Sequence, residues 1–234
     1  GDPDHDGRTN AEEYADGTDP TDAGSTLGLV AYYPLDADAV DHSGNNRDGQ
    51  VTGCTATEDR RGVASTAFSF DGNDFIDVAD NAFARVADLP LSVSMWVLYS
   101  STTSSPNAFN MGPPSSEQNG AGMNIHYSTG PGKLYGFLYC NDGDDGSASV
   151  VADQFSTGVW MHLALVIDMD THTLRFYRDG DLLGTDTLIS YDFANFTDFN
   201  FRIGGSRVGW SDHHRGKIDD VRFYTRAISA DEIA

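Results

Sequence analysis

From Leu27 onward the apolar residues come in short runs rich in Val, Ile, Phe and Tyr, broken about every ten residues by Gly, Asp or Asn. That punctuation leaves no room for helices of ordinary length, and helical periodicity is nearly absent. The pattern suits two packed antiparallel sheets, an all-β sandwich or jelly roll. The clearest expected strands are Ala67–Phe70, Phe75–Val78, Leu91–Tyr99, Lys133–Tyr139, Trp160–Asp168, Thr173–Asp179, Phe199–Gly204 and Lys217–Tyr224. Arg178-Asp179-Gly180-Asp181 reads as a hairpin turn, because Asp-Gly readily supplies the positive φ of a tight turn. Residues 228–233 are expected to form a short final helix. Ser100–Asn124 and Asn141–Gly146, rich in Ser, Pro, Asn, Asp and Gly, read as long loops. Long loops in a compact β domain commonly carry function.

The chain has 234 residues, 39% hydrophobic and 11% aromatic, enough to pack one β domain beside a small appendage. The formal net charge is −22, so nucleic acid or an anionic membrane surface would have to be bound against the whole-protein field. Neither is expected as a partner. Among the 36 acidic residues the only glutamates are Glu12, Glu13, Glu58, Glu117 and Glu232. The aspartate excess suits turns, calcium loops and solubility in salt. Cys54 and Cys140 could pair or remain buried thiols; the spacing decides neither. No apolar run is long enough to span a bilayer. The chain reads as a piece of a larger exported protein, secreted or displayed at the cell surface, with flanking domains of the same polypeptide.

Residues 1–24 form a separate segment by composition, ending where the aspartate-rich stretch gives way to the apolar run at Leu27. Asp2, Asp4, Asp6, Asn10 and Glu13 occupy positions 1, 3, 5, 9 and 12 of an EF-hand-type loop, with Gly7 at the sharp turn and Arg8 contributing its carbonyl. Calcium, a hard cation needing six to eight oxygens, is the expected cofactor. Gly17 and Pro20 leave space for little more than one helical turn after Glu13. The DPDHDG, NAEEY and GTDPTD elements resemble the thrombospondin type 3-like calcium repeats that link domains of secreted bacterial proteins.

The main domain, residues 25–234, carries a series of phrases in order: Leu29–Asp36, Asp41-His-Ser-Gly-Asn45, Phe68-Ser-Phe-Asp-Gly-Asn-Asp74, Leu91–Trp96, Trp160–Asp168, Phe176–Gly180 and Gly216-Lys-Ile-Asp-Asp-Val-Arg-Phe-Tyr224. As a series they resemble bacterial laminin-G-like, concanavalin A-like jelly rolls. The resemblance implies two curved antiparallel sheets stacked face to face and a structural calcium near the termini. Asp41, Asn46 and Asp219 are the expected holders of that second ion. Period-two alternation puts Asp219 on the side of Val221 and Phe223, facing the core, and its neighbour Asp220 on the opposite side. Trp96 and Trp160, inside apolar strands, are expected in the core.

A glycosidase usually needs two carboxylates facing each other across the scissile bond. No expected strand carries a glutamate, and adjacent aspartates in a regular strand diverge, so catalysis is not expected. His213-His214 beside Asp212 has the residues of a zinc site without its spacing. No Gly-x-Ser-x-Gly elbow, phosphate loop or dinucleotide fingerprint occurs. The expected function is that of a non-catalytic, calcium-binding extracellular module that binds a polysaccharide or glycoconjugate; the alternative is an adhesion or spacer domain without sugar binding. Sugars are held by aromatic faces and planar polar groups, which makes His126, Tyr139, Asn141, Arg207, Trp210 and His213 the candidate contacts. Tyr135, Phe137 and Tyr139 share one face of their strand, expected to be buried with Leu134, Gly136 and Leu138 outward. Arg202, Arg207 and Arg215, clustered in so acidic a chain, would suit a sulfated or carboxylated glycan.

Overall fold

The computed structural model describes residues 28–78, 92–101, 106–112, 122–128, 133–139, 148–152, 156–187, 200–206 and 212–233, with positions 1, 3, 10 and 21 singly. These residues form two antiparallel sheets. The first, of eight strands, contains β1 (Leu29–Tyr33), β3 (Thr55–Thr57), β4 (Ala67–Asp71), β6 (Ser92–Tyr99), β11 (Trp160–Asp168), β12 (Thr173–Arg178), β13 (Asp181–Thr187) and β15 (Arg215–Tyr224). Its order is β13-β12-β11-β6-β15-β4-β3, with β1 paired to β15. The second, of seven strands, contains β2 (Gly49–Thr52), β5 (Phe75–Val78), β7 (Asn107–Gly112), β8 (Gly122–Ser128), β9 (Lys133–Tyr139), β10 (Ala148–Ala152) and β14 (Asn200–Ile203), in the order β10-β9-β8-β7-β14-β5-β2. The all-β sandwich expected from the sequence is the observed architecture.

Alternation along the strands builds one core between the sheets. Val93, Met95, Val97 and Tyr99 of β6 and Leu163, Leu165 and Ile167 of β11 point inward and meet Met123, Ile125, Leu134 and Leu138 of the other sheet. Phe109, Phe201 and Phe223 interlock the two layers, with ring centroids 5.2–6.3 Å apart. The layers come close at Gly136, where an added Cβ would lie 2.6 Å from Leu165 Cδ1 and 2.8 Å from Phe176 Cγ. The C-terminal helix α1 (Ala230–Ile233) covers part of the first sheet's outer face, packing Ile228 and Ile233 on Ala164, Val166 and Tyr177. Ser229 and Glu232 cap each other reciprocally across its first turn.

Several expectations are corrected by local geometry. Residues 107–112 and 122–124, read as part of a long loop from their Asn and Gly content, belong to strands β7 and β8. In β9 Leu134, Gly136 and Leu138 are buried and Tyr135 and Phe137 turn outward, the reverse of the expected stack. Trp96 lies on the outer face of its sheet, since Met95 and Val97 beside it fill the core. Asp219 does not face the core with Val221 and Phe223. The pairing of β15 with β6 shifts register between Asp219 and Arg222, and Asp220 adopts φ +51°, a bulge that resets the alternation. Ile218, Val221 and Phe223 therefore point inward, whereas Asp219 stands opposite Trp96 on the outer face.

Candidate functional site

The outer face of the seven-stranded sheet carries two adjacent rows of side chains set by strand register. The first runs Asp77, Arg202, Asn110, Asn124, Phe137, each residue paired to the next across β5, β14, β7, β8 and β9. Neighbouring strands lie about 4.8 Å apart, so this row spans about 19 Å. The second runs from His213 through Asn107 and His126 to Tyr135. A bulge between Asn107 and Phe109 brings Asn107 onto this face, and its backbone and side-chain nitrogens both donate to the Asp212 carbonyl. Each end of the second row is aromatic. His213 tilts against Phe75, centroids 5.6 Å apart, and His126 stacks on Tyr135 at 5.2 Å with 8° between planes.

The polar groups here have definite states. Burial pushes the His126 imidazole down to about 4, so it is neutral at pH 7. Its Nδ1 lies 2.7 Å from Asn124 Oδ1. An amide oxygen only accepts, so Nδ1 carries the proton and Nε2 is left as an acceptor. Arg202 is closed within the sheet: it makes two bonds to Asp77 at 2.5 and 3.2 Å, a third to the Ser206 carbonyl, and lies over the Phe75 ring. Asn110 is only 5% exposed, and its amide oxygen is enclosed without a hydrogen-bond partner.

Of the ligand candidates, His126 and His213 are brought to this face, as cross-strand neighbours of Asn107 on either side. Tyr139 lies on β9 at the same parity as Tyr135 and Phe137. Asn141, Arg207 and Trp210 lie outside the described residues. Asn107, Asn110, Asn124 and Phe75 were not singled out as polar or aromatic contacts of one face; the alternation of Phe75, Ile76, Asp77 and Val78 was the available signal for β5, whereas β7 and the start of β8 were hidden by loop-like composition.

The opposite sheet holds a recess of about 490 Å³ on its outer face, lined by Tyr32, Arg60, Arg61, Trp96, Asp219, Asp220 and Arg222 among others. The bulge turns both aspartates the same way, contrary to the expected divergence. Arg60 meets Asp219 at 2.6 Å and Asp220 at 2.9 Å while lying over Trp96. Tyr32 donates its hydroxyl to Asp220 at 2.9 Å.

Asp41, Asn46 and Asp219, expected to share an ion, belong to separate networks. Asp41 accepts from the backbone N–H groups of Tyr32, Ser43 and Arg47, and Asn46, exposed, takes φ +57° in the same turn. Asp219 is held by Arg60. Among the described residues no group of three His, Cys, Asp or Glu side chains is placed to hold a metal ion. The N-terminal ligands Asp2, Asp4, Asp6, Arg8 and Glu13 lie outside the described residues, and Asn10 is described only singly. His213 and His214 part company: His214 is buried between Phe70 and Tyr99 with Nε2 3.1 Å from the Leu98 carbonyl. Cys54 is a free thiol.

Residues 70–234 match the laminin G-type family model described as the concanavalin A-like lectin/glucanases superfamily. The chain belongs to this superfamily. No match was found among curated proteins. Solved structures share the superfamily fold at low identity. Domain 4 of an extracellular arabinanase from Geobacillus stearothermophilus, in complex with arabinotriose, aligns with TM-score 0.70 and 20% identity, over 88% of this chain and 96% of that one. A carbohydrate-binding module of the Ruminococcus gnavus IT-sialidase, bound to α2,3 sialyllactose, aligns with TM-score 0.60 and 17% identity, over 71% of this chain and 94% of that one. The Trypanosoma rangeli sialidase aligns with TM-score 0.64 and 17% identity; 89% of this chain matches 32% of the sialidase.

Proposed function

We propose that the domain is a non-catalytic carbohydrate-binding module that takes a polysaccharide or glycoconjugate on the outer face of its seven-stranded sheet. The observation that carries this reading is the pair of rows there: planar amides at Asn107, Asn110 and Asn124 beside the stacked rings of His126 and Tyr135. Sugars present apolar C–H faces and rings of hydroxyls, and this surface offers both complements. Superfamily membership and the solved complexes with arabinotriose and sialyllactose support the same class of partner.

The non-catalytic part of the reading is supported by the carboxylates. Glu58 is exposed and Glu232 is committed to its helix cap and to Arg226. Asp219 and Asp220 share one guanidinium instead of facing each other across a cleft.

We further propose that residues 1–24 bind calcium through Asp2, Asp4, Asp6, Asn10, Glu13 and the Arg8 carbonyl, on the strength of the loop spacing. The setting that fits a calcium loop joined to such a module is a secreted or cell-surface protein. Titration calorimetry against arabinotriose, sialyllactose and a broad glycan array tests the sugar reading. Binding that weakens in Asn124→Ala and Tyr135→Ala supports it. Silence across the array in a folded protein would favour the adhesion or spacer role.

A further inference from the structure

We infer that the saccharide taken by this face is uncharged, and that Asn110, Asn124 and His126 read its hydroxyls; the inference rests on the carbohydrate reading above. Asn110 is the central observation. The residue is 5% exposed, it stands between Arg202 and Asn124 in the first row, and its enclosed amide oxygen has no donor among the described residues. A buried acceptor left in that state is unfavourable until something donates to it. Asn124 spends its oxygen on His126 and keeps its amide nitrogen as a donor, and His126 offers Nε2 as an acceptor. Acceptor, donor and acceptor thus lie within two strands of each other. A hydroxyl both donates and accepts, so adjacent hydroxyls can satisfy all three groups. A carboxylate or sulfate can only accept, and it would meet the oxygen of Asn110 and the lone pair of His126 with repulsion.

Among the described residues, the cations near this face already have partners. Arg202 is neutralised by Asp77 and closed by the Ser206 carbonyl. Lys133, on the same face of β9, also has a partner. Arg215, expected to join an anion-binding cluster, donates to the Asp71 carbonyl 2.5 Å away. The chain's charge of −22 adds a field that disfavours polyanions. Neutral His126 brings no imidazolium charge to its end of the patch at pH 7.

The test is titration calorimetry at pH 7 with xylan and galactomannan as neutral probes and polygalacturonate and alginate as anionic ones, in 50 and 500 mM NaCl, backed by a broad glycan array. The expected result is binding confined to neutral glycans, with affinity changing by less than about twofold between the two salts, because no ion pair is made. Asn110→Leu should weaken binding by about tenfold while Asn110→Asp, which keeps the acceptor, weakens it less; thermal melting of both variants shows that each is folded. Preference for polyanions, with affinity falling steeply in salt, overturns the inference and leaves the carbohydrate reading standing. No binding to any glycan by the folded protein overturns both.

Discussion

Arg60 lies over Trp96, its guanidinium carbon 4.5 Å from the ring centroid, and from that position it reaches two consecutive carboxylates. The ring supports the cation from below and the bulge in β15 supplies both anions from one side. Removing the guanidinium would leave Asp219, 3% exposed at its side chain, without its charge partner. Arg60→Ala should therefore cost about 1–3 kcal/mol of unfolding free energy, less than a bare buried charge would, because a carboxyl already raised to about 7 can take up a proton once the cation is gone. Arg60→Lys should recover only part of it, because a single ammonium cannot reproduce the planar fork. Urea denaturation of the two variants measures both numbers; a loss under about 1 kcal/mol for Arg60→Ala would mean that the pair behaves like an exposed surface bridge.

The same cluster sets a pH dependence. Burial, then Asp220, push the Asp219 carboxyl up to about 7 against the pull of Arg60. Its folded value lies above the unfolded one near 4, so the native state holds the proton more tightly. The stability this confers is present in full below about pH 4 and is lost as pH rises through 7. Asp219→Asn should gain on the wild type steadily between pH 5 and pH 8. Parallel stability curves over that range would show that Asp219 does not titrate there.

Burial pushes His214 down to about 4, and this works in the opposite direction. The imidazole, fully enclosed beside Phe70 and Tyr99, must take up a proton on unfolding in acid. Its contribution is present above about pH 6.5 and is lost as pH falls through 4. His214→Phe, which keeps an aromatic ring but cannot titrate, should flatten the acid limb of the stability profile measured by chemical denaturation.

At Gly136 the spacing of the two sheets leaves no volume for a side chain. Gly136→Val would force Leu165 and Phe176 apart and should destabilise the fold by about 1–3 kcal/mol. Because β9 carries Tyr135 on its other side, the same substitution should also weaken saccharide binding. A variant with native melting temperature would show that the layers separate freely.

Calcium can be examined through its ligands. Asp2→Ala/Asp4→Ala should remove one tight ion from calcium titrations and leave the β-sheet circular dichroism unchanged, since both sheets are built from Leu29 onward. Retention of the same stoichiometry and affinity would place the ion elsewhere.

The sandwich was legible in the sequence because strands such as β5, β9 and β11 obey simple alternation or run apolar throughout, and these were placed with the bounds observed. The site was less so. β7 and the start of β8 read as loop because the face they present is polar, and Asn107, Asn110 and Asn124 look like turn residues until register puts Asn110 opposite Asn124 and Asn107 opposite His126. Asp219 and Asp220 were misjudged for a different reason. A period-two rule assumes a regular ladder, and one residue at positive φ inverts everything beyond it. His126 and His213 were singled out for their chemistry, and only the fold revealed Asn107 between them.

Strand β1 runs beside the end of β15, Leu29 opposite Tyr224, and the Thr225 amide donates to the Gly28 carbonyl. The polypeptide thus enters and leaves the sandwich through one seam, away from the seven-stranded face. Tension applied across the domain would load that seam at one end, so its hydrogen bonds would part in succession like a zipper and not together in shear. The first mechanical event under pull would be the peeling of β1, with the sugar-facing sheet still intact.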